Sequence, residues 1–202
     1  MSEPGGKRLK SSVPVCKTHR VSVGGRAKQN LPSVVEEGLC GVSSLLMELA
    51  YRLQALAKIF EQDDMALPRV AAYFYLESTR EQEQAEAMLH YLSERGGQYC
   101  NKDIQRPGTE QVCALLPALE LLLGQWKEEM AIMVELSQLA REHGDPHSAS
   151  VLKSHFLQPL APKIKLLGDL LTNVRRVGCT SDGAGGFGEY LIDQLYEELT
   201  SA

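Results

Sequence analysis

The sequence predicts an all-α fold: a four-helix bundle with a long crossover between its second and third helices and a short fifth helix at the C-terminus. Three observations lead there. Apolar residues recur at helical spacing through four long stretches. Proline and glycine punctuate the chain mainly between those stretches. No alternating strand pattern competes with them, and no internal repeat is visible.

Each element has its own justification. Ser33 with Glu36 three residues on spells a capping box. Val35, Leu39, Val42, Leu46, Leu49, Leu53, Leu56 and Phe60 then form one apolar stripe, ending before Asp63-Asp64. Pro68 suits the first turn of a second helix, with Tyr73, Leu76, Ala85, Met88, Leu89 and Leu92 as its apolar positions and Arg95-Gly96-Gly97 as its stop. Residues 96–114 are polar and carry Pro107-Gly108, which makes a long connection. The third helix runs from Leu115 to Glu142 through Leu119, Leu122, Leu123, Trp126, Met130, Met133 and Leu136. Gly144-Asp145-Pro146 is a stop and restart. The fourth helix carries Leu152, Phe156, Leu160, Ile164, Leu167, Leu171 and Val174. Pro159 and Pro162 interrupt it, so a kink is expected near Gln158 to Lys163. A glycine-rich hinge, Gly178 to Gly186, leads to an amphipathic segment from Phe187 to Leu199. Two short connections make antiparallel hairpins, and the long link joins them.

Composition bounds the function. The chain has 202 residues, enough for a substantial core, and no window of 18 apolar residues, so no membrane span is expected. Five cysteines, Cys16, Cys40, Cys100, Cys113 and Cys179, are scattered without a CxxC pair, which points to a reducing compartment and a cytoplasmic location. Residues 1–30 carry a net charge of +6, while the remainder carries −11. Residues 1–33 are therefore read as a basic, disordered N-terminal arm, and residues 34–202 as the folded domain. Nucleic-acid contact through the arm and a mitochondrial presequence are minor readings of the same charge. There is no phosphate-binding glycine loop, dinucleotide fingerprint or nucleophile elbow.

Several fragments in order resemble eukaryotic ferritin subunits. They are Phe60-x-x-Asp63-Asp64-x-Ala66-Leu67, Glu83-x-Ala85-Glu86, Arg95-Gly96-Gly97, Asp103-Ile104-x-x-Pro107, Asp145-Pro146-His147, Leu167-Gly168-Asp169-x-x-Thr172-Asn173-x-Arg175 and Gly188-Glu189-Tyr190-Leu191. The resemblance runs from Val34 to Gly178 and resumes in the terminal helix. It implies a ferritin-like bundle with a short fifth helix, a closed cage of about two dozen copies built with other ferritin subunits, iron as stored mineral, and ferrous oxidation at a di-iron site in the bundle core.

Carried over residue by residue, that site is degenerate. The first-helix glutamate falls at Leu46 and the supporting tyrosine at Leu53. The second-helix glutamate is retained as Glu81, but its histidine partner is Gln84. The third-helix glutamate is Trp126, and the fourth-helix glutamine is Leu160. Glu81 is thus either a relic metal ligand or one half of a polar pair, with Gln84 as the expected donor. Isolated among apolar neighbours, its carboxyl would resist ionisation. The acidic cavity-face cluster of the mineral-nucleating subunits reads Leu76, Thr79, Arg80 and Glu83, and the threefold-channel acids read Ser150 and Lys153. His143 and His147 flank a turn and have no acidic partner at ligand spacing; His90 and His155 are isolated. The expectation is a cage component for iron storage and homeostasis, no enzyme in its own right and without an intact di-iron site. The alternative is an interaction or scaffold protein that kept the bundle and no longer handles iron.

Overall fold

A computed structural model describes residues 12–16, 26–100, 103–104, 112, 114–180 and 186–200, the last six of these as backbone only. The Pro107-Gly108 turn, Cys113 and the glycines at 183 and 185 lie outside the described residues, as does most of the basic arm.

The described chain is helical throughout, with no strand. Helix α1 spans Ser33–Phe60, α2 Pro68–Glu94 and α3 Leu115–Glu142. The fourth bundle helix has three parts: α4 (Pro146–Val151), a π-helical segment (Leu152–Leu157) and α5 (Gln158–Arg176). Helix α6 (Gly186–Thr200) closes the chain. The α1/α2 and α3/α4 hairpins turn over residues 61–67 and 143–145, and residues 95–114 cross over between them.

The expected kink takes a different form and place. Pro159 has no N–H to donate to the carbonyl of His155, and its ring would crowd that carbonyl in a regular helix. The chain widens to π-helical turns over Leu152–Leu157, just before the prolines, and resumes α geometry with Pro159 in the first turn of α5. Pro162 is accommodated inside α5.

The capping box at Ser33 is also corrected. Ser33 is already helical, Pro32 is the N-cap, and no side chain caps the end. Glu36 is buried because it is used elsewhere: it pairs with Lys28 and accepts the Gln98 backbone N–H at 2.7 Å. Two other helix ends are capped from afar. Asp193 of α6 accepts the N–H groups of Arg69 and Val70 at 2.9 and 3.0 Å, at the start of α2. Glu189 of α6 accepts Leu115 N–H at 2.8 Å, at the start of α3. Both carboxylates therefore sit where the helix N-terminus favours negative charge. Asp145 caps α4 locally through Ser148 N–H at 3.0 Å and is bridged by Arg95. Burial alone would raise the Asp145 carboxyl, but the Ser148 and Arg95 contacts outweigh it and hold it below the usual aspartate range.

Part of the basic arm is packed. Val13, Cys16 and Leu31 are buried, and Cys16 N–H donates to Glu37 O at 3.2 Å. The approach is close enough to demand a glycine in α1, since a Cβ on Gly41 would lie 1.9 Å from Pro14 O. The four described cysteines are buried.

Two apolar clusters fill the bundle. One includes Leu53, Phe60, Phe74, Leu122, Trp126, Leu160 and Leu171; the other includes Leu39, Leu46, Met88, Leu92, Met133, Leu136 and Phe156. Along α2 and α3 the boundary between them falls at the level of Glu77, Glu81 and Glu129.

Candidate functional site: a buried lysine–carboxylate cluster

Leu46, Leu53, Trp126 and Leu160 are all buried among apolar neighbours, as their place in the helical stripes predicts. Glu81 is only 1% exposed, so its carboxylate needs partners. The expected donor, Gln84, is not one of them: no hydrogen bond joins the two. Two residues from other helices supply the contacts instead. Trp126 Nε1 on α3 donates to Glu81 Oε1 at 3.0 Å. Lys163 Nζ on α5 donates to the same oxygen at 2.5 Å.

Lys163 organises a larger group. Its Nζ also pairs with Glu77 Oε2 at 2.8 Å and lies 4.2 Å from the centre of the Trp126 ring. Burial pulls the ammonium down, but the carboxylates of Glu81 and Glu77 outweigh that and hold it above its ordinary value. Glu77, one turn before Glu81, also takes Arg80 Nη1 at 2.5 Å. The third acid in play is Glu129 on α3, 7% exposed, with Oε2 lacking any hydrogen-bond partner. Burial pushes its carboxyl up to about 8, reinforced by the Glu81 charge and opposed by Lys163. Glu81, expected to stand among apolar neighbours, has an ammonium beside it.

Glu77, Glu129 and Lys163 are absent from the site read off the sequence. Their spacing follows the helical period without marking them as buried. Glu77 shares the helical face of Glu81 four residues on, Glu129 follows Trp126 by three, and Lys163 follows Leu160 by three. Each charge is in phase with an apolar stripe.

The donor set does not fit iron. The metal prefers carboxylate and imidazole donors converging from facing helices. Here an ammonium sits against two of the carboxylates, an indole N–H occupies Glu81 further, and no imidazole is present. Among the described residues, no three His, Cys, Asp or Glu side chains are arranged to hold a metal ion. What the arrangement can do is neutralise buried charge and tie α2, α3 and α5 together.

The remaining sequence candidates are dispersed. Leu76, Thr79, Arg80 and Glu83 are exposed on α2, and Arg80 is drawn onto Glu77. Ser150 lies in the last turn of α4 and Lys153 in the π-helical segment, both exposed. His143 is the C-cap of α3, whereas His147 stacks on Tyr91 at 5.6 Å and meets its hydroxyl at 2.8 Å. His90 lies 3.5 Å from Glu94, and His155 Nδ1 lies 2.8 Å from Ser154 Oγ. Among the described residues, no helix is long and apolar enough to cross a membrane.

Comparisons with known proteins agree with the architecture. The ferritin-like domain family matches residues 41–177. The soma ferritin of Lymnaea stagnalis is 32% identical, over 88% of this chain and 97% of its own length. The oocyte isoform of ferritin light chain from Xenopus laevis is 30% identical, over 87% and 97%. The ferritin middle subunit of Aquarana catesbeiana is 31% identical, over 84% and 94%. A crossover four-helix bundle with a capping fifth helix, matched through most of its length by these proteins, belongs to the ferritin family.

Proposed function

We propose that this chain is a structural subunit of an iron-storage cage, without ferroxidase activity of its own, that works alongside catalytic ferritin subunits. The observation that carries the reading is the Lys163 ammonium, set between Glu77 and Glu81 and against the Trp126 ring. A ferrous ion entering there would have to displace a cation already held by two buried carboxylates. Replacement of one partner in such a group is costly, on the order of 3–5 kcal/mol. The cluster therefore serves the bundle's cohesion, and iron oxidation falls to a partner subunit. Scattered cysteines without a CxxC pair suit a reducing compartment such as the cytoplasm.

The test is native mass and iron content, measured on the chain alone and after co-expression with a catalytic ferritin subunit. The reading expects a closed shell that mineralises iron only when the catalytic subunit is present. A scaffold role without iron draws on the basic Arg80 and Lys153 at the cavity and channel positions. That role would be favoured by small oligomers under both conditions, or by shells that stay empty.

A further inference from the structure

Residues 12–16 lie across α1 and α3. Ser12 N–H donates to Glu135 Oε1 on α3 at 3.0 Å, and Cys16 N–H donates to Glu37 O on α1 at 3.2 Å. Between these ties the segment passes over two glycines of α1. A Cβ on Gly38 would lie 3.4 Å from Val13 Cγ1, and one on Gly41 would lie 1.9 Å from Pro14 O. Glu37, Cys40, Gly41 and Ser44 follow one another at three- and four-residue spacing, so they share one helical face. Cys16 is therefore delivered to the turn that carries Cys40. Its Sγ lies 3.9 Å from Ser44 Oγ, which itself donates to Cys40 O at 3.2 Å, and the Cys16 and Cys40 side chains share a hydrogen bond. We propose that Cys16 and Cys40 form a reversible disulfide under peroxide, a redox-controlled latch that fixes the N-terminal arm to α1.

The arrangement selects this pair. Cys179 stands in the other apolar cluster. Cys100 borders the pair: its backbone N–H donates to Cys40 Sγ at 3.3 Å, its carbonyl accepts from the same sulfur at 3.1 Å, and its side chain meets Cys16. Cys40 is the partner because the backbone of the arm is tied to the turn of α1 in which Cys40 lies. Hydrogen peroxide supplies the oxidant. The Cys16 sulfur takes one oxygen as the O–O bond breaks, which gives a sulfenic acid and releases water. The Cys40 sulfur then displaces that oxygen, which leaves with the Cys40 proton as a second water while the S–S bond forms. Two thiols are oxidised and one peroxide is reduced; a dithiol reverses the change by exchange. Cys16 takes the first step because it sits on the arm beside Val15, which is 46% exposed. Burial pushes the Cys40 thiol up to about 11, opposed by the Cys100 backbone and reinforced by Cys16, so Cys40 is the poorer first nucleophile. The link closes residues 16–40 into a loop that carries Lys17, Arg20, Arg26 and Lys28.

The inference goes beyond the storage reading, and its test involves no iron. The full chain, reduced and then freed of reductant, is treated with hydrogen peroxide, alkylated, digested without reductant and analysed by mass spectrometry. The expected product, in the majority of chains, is a peptide containing Cys16 joined to one containing Cys40, separated again by dithiothreitol. Hydrogen exchange at the Cys16 amide should slow at least tenfold in the linked protein. Cys40→Ser should remove the link. Gly41→Ala, which displaces the arm, should slow its formation at least tenfold. Oxidation of Cys16 to a sulfinic acid without a link would overturn the proposal, as would a dominant link from Cys16 to any other cysteine or to a second chain. So would unchanged exchange at the Cys16 amide, or equal rates of linking in the native protein and in Gly41→Ala.

Discussion

Replacing Lys163 with methionine keeps the side chain's unbranched apolar stem and removes the charged Nζ. In the native protein Nζ lies 2.8 Å from Glu77 and 2.5 Å from Glu81, and both carboxylate side chains are 2% exposed. Arg80 still partners Glu77, and Trp126 Nε1 still donates to Glu81, so neither acid is wholly abandoned. Removing one partner of a buried pair costs about 3–5 kcal/mol, and the lost contact with the Trp126 ring adds about 0.5–2 kcal/mol. The remaining donors offset part of this, which leaves an expected loss of about 3–5 kcal/mol at neutral pH. Urea unfolding at fixed chain concentration, followed by tryptophan fluorescence, is the assay. The chain has a single tryptophan, and it stands in the cluster, so the probe reports the site directly. A loss below about 1 kcal/mol would refute the reasoning that Lys163 holds these carboxylates together.

Other perturbations have equally specific outcomes. Glu129 has its carboxyl pushed up to about 8, so the native protein loses stability as pH rises from the ordinary glutamate range toward that value. Glu129→Gln lacks this penalty and should be the more stable protein at pH 9 by about 2–4 kcal/mol, with the gap closing near pH 5 in the same urea assay. Gly41→Ala places a methyl 1.9 Å from Pro14 O and should lift residues 12–16 off α1. The check is thiol labelling of Cys16, which is buried in the native protein and should become fast to react; unchanged labelling would mean that the segment is not held by this contact. Asp193→Ala removes the cap on Arg69 and Val70 and should cost about 1–2 kcal/mol, with faster hydrogen exchange at those two amides and in α6. Unaltered exchange there would show that α6 is anchored by other contacts.

The helices were legible because their apolar period is uninterrupted. Leu115 to Glu142 is a helix at the residues where its stripe begins and ends. What local spelling could not convey is where a polar group is used when its partner comes from a distant part of the chain. Ser33 and Glu36 spell a capping box, yet Glu36 is claimed by Lys28 and Gln98. The caps of α2 and α3 come from α6, more than 70 residues away along the sequence. The core site shows the same limit. Loss of ligand character at Leu46, Leu53, Trp126 and Leu160 was readable position by position. Lys163 was not, because a lysine beside a helical stripe ordinarily reaches water. Only the packing of α5 against α2 and α3 turns it inward, and the π-helical segment before Pro159 precedes that inward placement. Glu129 was hidden for a similar reason, being adjacent to Met130 in a stretch where either could face the core.

The most direct test of the central claim is ferrous-dependent oxygen uptake by the purified chain assembled without any other subunit, against a protein-free control and a catalytic ferritin subunit. A core occupied by Lys163 and Trp126 predicts uptake no faster than the control, unchanged in Glu81→Ala. Saturable uptake well above the control that Glu81→Ala abolishes would contradict it, because Glu81 would then be holding iron rather than Lys163.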